Sequence, residues 1–386
     1  MKILHIDHST ARGGAEYALL RMLELPPPWT ASLFVPRNNE SNGVYSPLSV
    51  SVTTRLRSLG PAQTFGASKA RGGILSIVGF ASRALGQSLA IRFSHEFRNA
   101  DVVHANTSRS AVYTALACFT SPKTKLVVHL RDLVDVDSLG SVGFVLFTKI
   151  ALKRANGLIA NSSASLAAAR PYMRTGMPSA VIPSAAGIHE RRSERPARLG
   201  LQTVGMVARL DPWKGQELLI RAFASVFRES DVRLVLAGSA PFGNEEFAEQ
   251  LRLLASSLSI GDRVDFVGHV NDVEALVDSF DICVQSSVRP EPLGQNVLQY
   301  LAAGRATIAT DQGGPVEWIT SGENGLLFTM GDEASLADAL RRLADDTNLR
   351  SRLAQAAAHT PGLATDREIA DAHAKFFDTV SEMSGK

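Results

Sequence analysis

Cysteine, aromatic residues and long apolar runs are all scarce in this chain. It has 2 cysteines, Cys118 and Cys283, which lie in apolar surroundings in opposite halves of the sequence. We therefore expect reduced core thiols rather than a disulfide. No cluster of cysteine and histidine has the spacing of metal ligands, so we predict no metal site. No uncharged apolar run reaches the ~18 residues that a membrane-spanning helix needs.

The composition is that of a folded α/β protein. Of the 386 residues, 45% are hydrophobic, 20% are charged and 6% are aromatic. This length is too great for one ordinary core and favours two domains. Because the chain enters a strand directly at residues 2–6, we expect a cytoplasmic protein.

Strand-like and helix-like segments alternate along the whole chain, which predicts doubly wound parallel sheets. We place one Rossmann-like domain at residues 1–190 and a second at residues 200–362, joined by the charged, proline-containing segment 189–198. Ligands are expected at the carboxyl ends of the strands, in a central cleft that both domains face. The last helix, residues 366–383, has an apolar face, and it either packs back on the first domain or caps the second.

Charge is distributed unevenly between the two halves. Residues 1–195 carry 23 Lys and Arg against 11 Asp and Glu, although the net charge of the whole chain is only +2. Within this half, residues 55–98 contain a single acid, Glu96, beside the basic residues Arg55, Arg57, Lys69, Arg71, Arg83, Arg92 and Arg98. Such a basic amphipathic segment is typical of proteins that rest on an anionic membrane surface, and equally of a core-facing helix with a solvated cationic face. We expect no nucleic-acid partner, because no binding motif or aromatic stacking platform accompanies the charge.

A loop that leads into a helix indicates a phosphate-binding site in the second half. The loop contains Glu291, and Gly294 stands immediately before a helical pattern that starts at Gln295. Unpaired backbone N–H groups and the positive dipole end at a helix N-terminus favour a bound phosphate. This loop is therefore a candidate site for a phosphorylated, activated substrate.

Two further segments point to the same site. A buried strand pattern ends in the cation Arg209, and the turn that follows contains Lys214. Arginine suits bidentate phosphate recognition and lysine supplies a mobile point charge, so both side chains could face one diphosphate. Downstream, another strand pattern runs into the glycine pair Gly313-Gly314, which predicts a tight turn.

The order of these segments resembles the donor-binding half of the retaining glycosyltransferases of family 4, which have the two-domain GT-B fold. The matching segments are Arg209–Gly215, Glu291–Gly294 and Asp311–Glu317. The resemblance covers the second half well and the first half loosely. Two positions depart from the family pattern: Gln299 replaces a second glutamate, and Ala208 stands where many members have glycine.

The resemblance implies transfer of a sugar from a nucleoside diphosphate sugar to a hydroxyl group, with the anomeric configuration retained and without a metal ion or other cofactor. Glu291 would orient the sugar, while Arg209 and Lys214 would stabilise the leaving diphosphate. The implied catalytic residues are Glu291, His129, Arg209 and Lys214, and the implied donor contacts are Gly13, Gly14, Leu293, Gly294, Gln295, Asn296 and Gln299.

The first half contributes two features to this prediction. The glycine-rich turn at Gly13-Gly14 follows the first strand, and its lack of Gly-x-Gly-x-x-Gly spacing argues against a dinucleotide cofactor. His129, at the end of a predicted buried strand, matches the family's histidine near the transferred sugar. Arg131 and Asp132, which follow it, are candidates for an acceptor pocket.

Several alternatives stay open at this point. A neutral amide accepts hydrogen bonds less strongly than a carboxylate, so Gln299 suggests weaker nucleotide recognition or a non-catalytic sugar-nucleotide-binding protein. A GT-B nucleotide-sugar epimerase would bind the same donor. From the basic first half we expect a lipid-linked or cell-envelope saccharide as the acceptor, with a small soluble acceptor as the other possibility.

Overall fold

The computed structural model describes residues 1–37, 43–62, 74–190, 200–240 and 244–383, with the backbone alone for residues 74–78 and 80. The chain divides into two compact units. The N-terminal unit comprises Met1–Ala185 together with the chain from Ala364 onward, and the C-terminal unit comprises Ala186–Leu363. Most of the predicted linker, residues 191–198, lies outside the described residues, as do Lys69 and Arg71.

The N-terminal unit is built on a parallel sheet of seven strands in the order β3-β2-β1-β4-β5-β6-β7. The strands are β1 Lys2–Ile6, β2 Thr30–Arg37, β3 Thr54–Ala62, β4 Val102–Ala105, β5 Lys125–Leu130, β6 Gly157–Ala160 and β7 Ser179–Val181. The helices are α1 Gly14–Glu24, α2 Ile74–Arg92, α3 His95–Asn99, α4 Ser108–Cys118, α5 Val136–Leu139, α6 Ser141–Leu146, α7 Leu152–Arg154 and α8 Ser163–Ala169. Strands β4 and β6 are buried along their whole length, as expected of a parallel sheet that is covered on both faces.

One segment differs from the sequence prediction. The basic segment at residues 55–98 is divided in the structure, because residues 54–62 form strand β3, residues 74–92 form helix α2 and residues 95–99 form helix α3. Strand β3 lies at the edge of the sheet, where Arg55 and Arg57 keep their side chains about half exposed or more, at 61% and 50%. Charged residues and a proline, here Pro61, are typical of edge strands, which need to avoid pairing with other chains.

The C-terminal helix, Asp366–Glu382, belongs to the N-terminal unit. Its buried residues Phe376, Phe377 and Val380 share one apolar cluster with residues of the sheet, including Ile3 and Val127. The helix begins at a capping box in which Thr365 and Glu368 satisfy each other's backbone N–H groups. Among the described residues, no helix is long and apolar enough to cross a membrane.

The C-terminal unit contains a parallel sheet of six strands in the order β10-β9-β8-β11-β12-β13. The strands are β8 Thr203–Val207, β9 Arg233–Ala237, β10 Val264–Gly268, β11 Ile282–Gln285, β12 Ala306–Thr310 and β13 Leu326–Phe328. The helices are α9 Gln216–Phe227, α10 Glu245–Ser257, α11 Val273–Asp278, α12 Gln295–Ala302, α13 Glu333–Asp345 and α14 Thr347–Ala358. The three predicted donor segments follow β8, β11 and β12, which are neighbours in this sheet, so the topology brings them to one edge.

Candidate functional site

The centre of the C-terminal site is an ion pair between Lys214 and Glu291. The Nζ atom of Lys214 lies 2.6 Å from Oε1 of Glu291, and the hydroxyl of Ser287 donates to the same oxygen at 2.5 Å. Both charged side chains are largely withdrawn from water, with exposed fractions of 17% for Lys214 and 7% for Glu291. The structure thus joins two sequence-predicted catalytic residues that lie 77 positions apart in the chain.

The turn after β8 holds Lys214 in place. Its ammonium group lies 3.8 Å from the centre of the Trp213 ring, which adds a cation–π attraction. The backbone N–H of Val288 donates to the carbonyl oxygen of Trp213 at 2.9 Å, so this turn is tied to the loop that carries Glu291. Arg209, by contrast, is exposed, and its guanidinium forms no ion pair among the described residues. A cation in this state is available for an anionic ligand.

The glycine pair after β12 fixes the backbone of Glu291. The N–H of Gly314 donates to the carbonyl oxygen of Glu291 at 2.7 Å, and Glu291 and Gly313 form an isolated β-bridge. Gly313 has a φ of +78°, and a Cβ atom there would lie 2.5 Å from that carbonyl oxygen. Only glycine fits this position, because both the conformation and the space exclude a side chain.

Helix α12 begins directly after Gly294, which adopts the left-handed conformation and gives the helix no side-chain cap. Gln295 and Asn296 lie partly exposed in its first turn. The Asn296 amide donates to the carbonyl oxygen of Val207 in β8 at 3.2 Å and thereby links the helix start to the sheet. Leu293, a predicted donor contact, is instead 3% exposed and packs in the core with Val297, so its side chain supports the loop from beneath.

Gly215 allows the turn that carries Lys214 to approach the loop that carries Glu291. It has a φ of +76°, and a Cβ atom there would lie 1.8 Å from the carbonyl oxygen of Ser286. The Ser286 hydroxyl in turn donates to the carbonyl oxygen of Gly215 at 3.0 Å. A side chain at position 215 would therefore push the Lys214 turn away from the Glu291 loop.

Replacing Gly215 by alanine should destabilise the C-terminal unit by about 3 kcal/mol or more, because backbone strain and the clash with Ser286 act together. The control is Gly331→Ala, since Gly331 also has a positive φ, +80°, but has open space where the Cβ would lie. That variant should lose only the ~1–2 kcal/mol of left-handed strain. Urea denaturation measures both losses, and equal losses would contradict the clash.

Gln299 makes a contact that a glutamate could not make. Its Nε2 atom donates to the carbonyl oxygen of Ala186 at 2.8 Å, which joins helix α12 to the first residue of the C-terminal unit. Both partners belong to this unit, and Ala186 packs in the same apolar cluster as Leu298. The amide thus has a structural partner, in addition to the nucleotide contact that the sequence predicts for this position.

Gln299→Glu should therefore lower stability by about 1–3 kcal/mol, because a carboxylate oxygen would face the Ala186 carbonyl oxygen with no proton between them. Gln312→Glu is a matched control, since Gln312 is exposed on a loop of the same unit. Thermal melting of the two variants at neutral pH gives the comparison. A Gln299→Glu protein as stable as the wild type would show that the bond to Ala186 contributes nothing.

The glycine turn of the N-terminal unit borders a buried polar network. Gly13 is the N-cap of α1 and Gly14 its first residue, and the side chain of Glu16 lies against this turn. Burial, and then the charge of Asp7, raise the pKa of Glu16 from 4.5 to about 7. Asp7 is 0% exposed and its Oδ2 accepts hydrogen bonds from Tyr45 at 2.5 Å and Asn106 at 2.7 Å.

Arg131 completes this network. Its guanidinium donates to Oδ1 of Asn106 at 2.9 Å and to the hydroxyl of Ser184 at 2.7 Å. Burial lowers the pKa of Arg131 to about 10, although the nearby charges of Asp7 and Glu16 act in the other direction. Sequence reasoning placed Arg131 near an acceptor pocket but missed Asp7, Glu16 and Asn106. Asp7 and Asn106 directly follow buried strands, and Glu16 lies in the first turn of α1. These positions are the sequence features that could have indicated the network.

Three groups of this region come close enough to share a cation. Donor atoms of Asp7, His8 and Glu16 lie within 4.8 Å of one another. Sequence spacing did not show this group, because strand β1, a loop and helix α1 bring it together. The oxygens of Asp7 already accept bonds from Tyr45, Asn106 and the backbone N–H of His8, so hydrogen bonds account for the arrangement.

His129 lies in the core rather than at the surface. It is 0% exposed and belongs to a histidine cluster formed by His5, His104, His129 and His373. His5 and His104 approach to 2.9 Å, and His104 and His129 to 3.2 Å. Burial holds the pKa of His129 well below its usual value, with the charge of Arg131 acting in the same direction. Residues of β4 and of the C-terminal helix pack against the His129 ring, and its predicted role near the transferred sugar stays a prediction.

Both cysteines are free and buried, as their apolar surroundings in the sequence suggested. Burial raises the pKa of Cys118 to about 12 and that of Cys283 still further. Protonated thiols of this kind are poor nucleophiles and poor metal ligands.

A known protein family matches the C-terminal unit. Residues 188–360 match the family described as glycosyl transferases group 1. This match spans nearly the whole C-terminal unit. The chain is 36% identical over 177 residues to the putative glycosyltransferase EpsD of Bacillus subtilis (strain 168), covering 44% of this chain and 45% of EpsD. It is 35% identical over 190 residues to the lipopolysaccharide core biosynthesis glycosyltransferase LpsD of Rhizobium meliloti (strain 1021), covering 47% of this chain and 52% of LpsD. The chain thus spans about half the length of these curated relatives.

A structural likeness extends over both units. The crystal structure of Anabaena Alr3699/HepE in complex with UDP and glucose matches with a TM-score of 0.81 and 26% identity, covering 99% of this chain and 100% of that chain. Together with the two parallel sheets, this likeness shows the GT-B fold. The predicted fold class is confirmed, and the match at residues 188–360 confirms the predicted resemblance of the second half to group 1 glycosyltransferases.

Proposed function

We propose that this protein is a retaining, metal-independent glycosyltransferase that moves a sugar from a nucleoside diphosphate sugar to a hydroxyl group. One observation carries the proposal: Lys214 and Glu291 meet 2.6 Å apart beside the uncapped start of helix α12, with the cation Arg209 exposed at the same edge of the sheet. This arrangement combines cations and backbone N–H groups for a diphosphate with a carboxylate for sugar hydroxyls.

The chemistry follows from these groups. The bond between the anomeric carbon and the diphosphate oxygen breaks, and a new bond forms to the acceptor oxygen on the same face of the sugar. The acceptor proton passes to the departing phosphate oxygen. Arg209, Lys214 and the start of α12 stabilise the negative charge that develops on the leaving diphosphate. No residue has to act as a covalent nucleophile in this scheme.

The ion pair also explains how the site accepts its donor. Lys214 and Glu291 neutralise each other, which offsets the cost of holding both charges away from water. A bound diphosphate would take over the ammonium group, and Glu291 would then accept hydrogen bonds from the sugar. The serine at position 287 keeps one carboxylate oxygen in place during this exchange.

The comparisons support a saccharide acceptor of the cell envelope. LpsD is a glycosyltransferase of lipopolysaccharide core biosynthesis, and Alr3699/HepE was crystallised with UDP and glucose. We therefore propose a role in polysaccharide or lipopolysaccharide synthesis, with a lipid-linked saccharide as the acceptor and UDP as the first donor nucleotide to test. Since nucleotide sugars are cytoplasmic metabolites, we place the reaction in the cytoplasm.

Calorimetric titration with UDP, GDP and ADP tests the donor site. We expect one nucleotide to bind the wild type, and each of Arg209→Ala and Lys214→Ala to weaken it about 10- to 100-fold, because each removes a charge-assisted phosphate contact. Arg221→Ala is the matched control, since Arg221 pairs with Glu217 on the exposed face of α9. Binding of none of the three nucleotides, or equal loss in the control, would overturn the donor site.

A further inference from the structure

Four large apolar side chains of the N-terminal unit point into solvent around the end of helix α2. Their exposed fractions are 57% for Leu85, 48% for Leu89, 72% for Phe93 and 67% for Phe119. Leu85, Leu89 and Phe93 follow one another at intervals of four residues and so lie on one face of α2. On the opposite face, Ala84 and Ile91 are buried at 5% and 0% exposure. We call the four exposed residues the apolar patch.

Hydrogen bonds between two helices bring the members of the patch together. The hydroxyl of Ser88 in α2 donates to the carbonyl oxygen of Tyr113 in α4 at 2.9 Å. At the ends of these helices, Nε of Arg92 donates to the hydroxyl of Thr120 at 3.0 Å. Phe93 directly follows Arg92 and Phe119 directly precedes Thr120, so this bond joins the two chain segments that carry the exposed phenylalanines.

Two arginines, Arg92 and Arg98, lie next to the patch, and the acids nearest to it in the sequence are already engaged. Arg98 donates to the carbonyl oxygen of Phe93 at 3.5 Å, and the Arg92 guanidinium lies 5.8 Å from the ring of Phe97. Residues 85–119, which span the patch, contain 3 arginines and 2 acids, Glu96 and Asp101. Glu96 pairs with Arg55 at 3.5 Å and Arg57 at 3.3 Å, while Asp101 accepts from the backbone N–H of Lys2 at 2.7 Å. Arg92 and Arg98 therefore place positive charge next to the apolar patch.

We propose that the apolar patch docks the N-terminal unit on an anionic lipid membrane, with Leu85, Leu89, Phe93 and Phe119 inserted at the headgroup level. The combination of apolar side chains with flanking arginines is what such an interface binds, since acyl chains accept the former and lipid phosphates the latter. Two of the four side chains are leucines, which cannot stack on bases, so a membrane fits better than a nucleic acid. The proposal needs no membrane-spanning helix, because the contact lies in the plane of the interface.

Vesicle sedimentation tests this proposal without any nucleotide or acceptor. The wild type should bind vesicles of phosphatidylcholine mixed with phosphatidylglycerol and bind phosphatidylcholine vesicles much more weakly. Phe93→Ser/Phe119→Ser should weaken binding to the mixed vesicles about tenfold or more through lost apolar burial. Arg98→Gln should weaken it about fivefold through one lost charge. Leu253→Ser is the matched control, because Leu253 is 62% exposed on α10 of the C-terminal unit.

The outcomes separate cleanly. Equal binding by the patch variants and by Leu253→Ser, or equal binding to charged and neutral vesicles, would overturn the proposal. The proposal would also be overturned if the protein bound a nucleic acid or an acidic protein through the patch and did not bind the vesicles. All these substitutions are at exposed positions, and unchanged melting temperatures verify that the variants fold. Nucleotide binding by the patch variants should match that of the wild type. Vesicle sedimentation therefore tests the membrane site, and calorimetric titration tests the donor site independently.

Discussion

Lowering the pH from neutral to about 4.5 should unfold the N-terminal unit, because its histidine cluster is held in the neutral form. Burial lowers the pKa of His5 to about 3, with the charge of His373 acting in the same direction, and burial lowers the pKa of His373 to about 4. Burial likewise holds the pKa values of His104 and His129 well below the usual 6.5. All four rings are 0–1% exposed, so water cannot solvate the protons that they would gain.

The direction of the effect follows from proton binding. Between pH 6.5 and the lowered values, the unfolded chain binds protons that the folded chain does not, so stability is complete above pH 6.5 and falls as the pH decreases. At pH 4.5 His5 and His373 each lower the free energy of unfolding by about 2.7 kcal/mol, or about 5 kcal/mol together. His104 and His129 act in the same direction. Typical total stabilities are only about 5–15 kcal/mol.

One group opposes this loss. The pKa of Glu16 is raised to about 7, so its carboxyl gains a proton in the folded state before it does so in the unfolded state. Its contribution to stability is complete below its usual value and is lost as the pH rises through about 7. Acidification therefore increases the contribution of Glu16 to the free energy of unfolding by about 3 kcal/mol. This gain offsets the loss from roughly one of the four histidines.

Near- and far-ultraviolet circular dichroism during an acid titration would measure the transition. His373→Phe should move the acid midpoint to lower pH, because it removes one titrating ring and keeps the contact with Phe377. His95→Asn is the control, since His95 is exposed on α3 of the same unit. A midpoint that does not move in His373→Phe, or equal stability at acid and neutral pH, would show that the cluster accepts protons in the folded state.

Lys214→Met should lower kcat/KM for sugar transfer about 10²- to 10³-fold, because the variant loses the cation that faces the developing charge of the diphosphate. It also leaves the Glu291 carboxylate, which is 7% exposed, with Ser287 as its side-chain partner. Glu291→Gln preserves the size of the side chain and should lose activity less steeply, since its amide still binds sugar hydroxyls. The release of the nucleoside diphosphate from the nucleotide sugar that the calorimetric titration selects gives the initial rates.

The double variant measures the coupling between Lys214 and Glu291 directly. If Lys214 and Glu291 act as a pair, Lys214→Met/Glu291→Gln should be less impaired than the sum of the single losses predicts, because the second change removes the charge that the first left uncompensated. Arg221→Met, at an exposed ion pair on α9, should retain wild-type rates. Fully additive losses, or a Lys214→Met protein as active as the wild type, would contradict the role proposed for this pair.

Much of the C-terminal site was predictable because its signals are local. The loop from Glu291 to Gly294 and the helix start at Gln295 are neighbours in sequence, and their pattern alone indicates a phosphate-binding helix N-terminus. Adjacent parallel strands end at the same edge of a sheet, so the segments after β8, β11 and β12 had to meet once the strand order was right. The Lys214–Glu291 contact itself depends on the backbone approach at Gly215, which no sequence pattern shows.

The N-terminal unit was harder to predict because its chemistry depends on distant partners. His129 matched a family motif at the end of a strand, but its burial results from the C-terminal helix, whose residue His373 lies 5.3 Å from it between ring centres. The polar network of Asp7, Asn106 and Arg131 joins the ends of three strands, and each member alone resembles an ordinary polar residue after a strand.

The sequence by itself determined the two-unit α/β architecture, the uneven charge and the loop that leads into helix α12, because hydrophobic periodicity, composition and the turn residues next to a helix start are properties of neighbouring positions. Only the tertiary structure decided which charges pair, which histidines are removed from water and what Gln299 contacts. Those outcomes depend on desolvation and on distances between residues far apart in the chain, and both quantities exist only after the sheets have formed and the helices have packed on them.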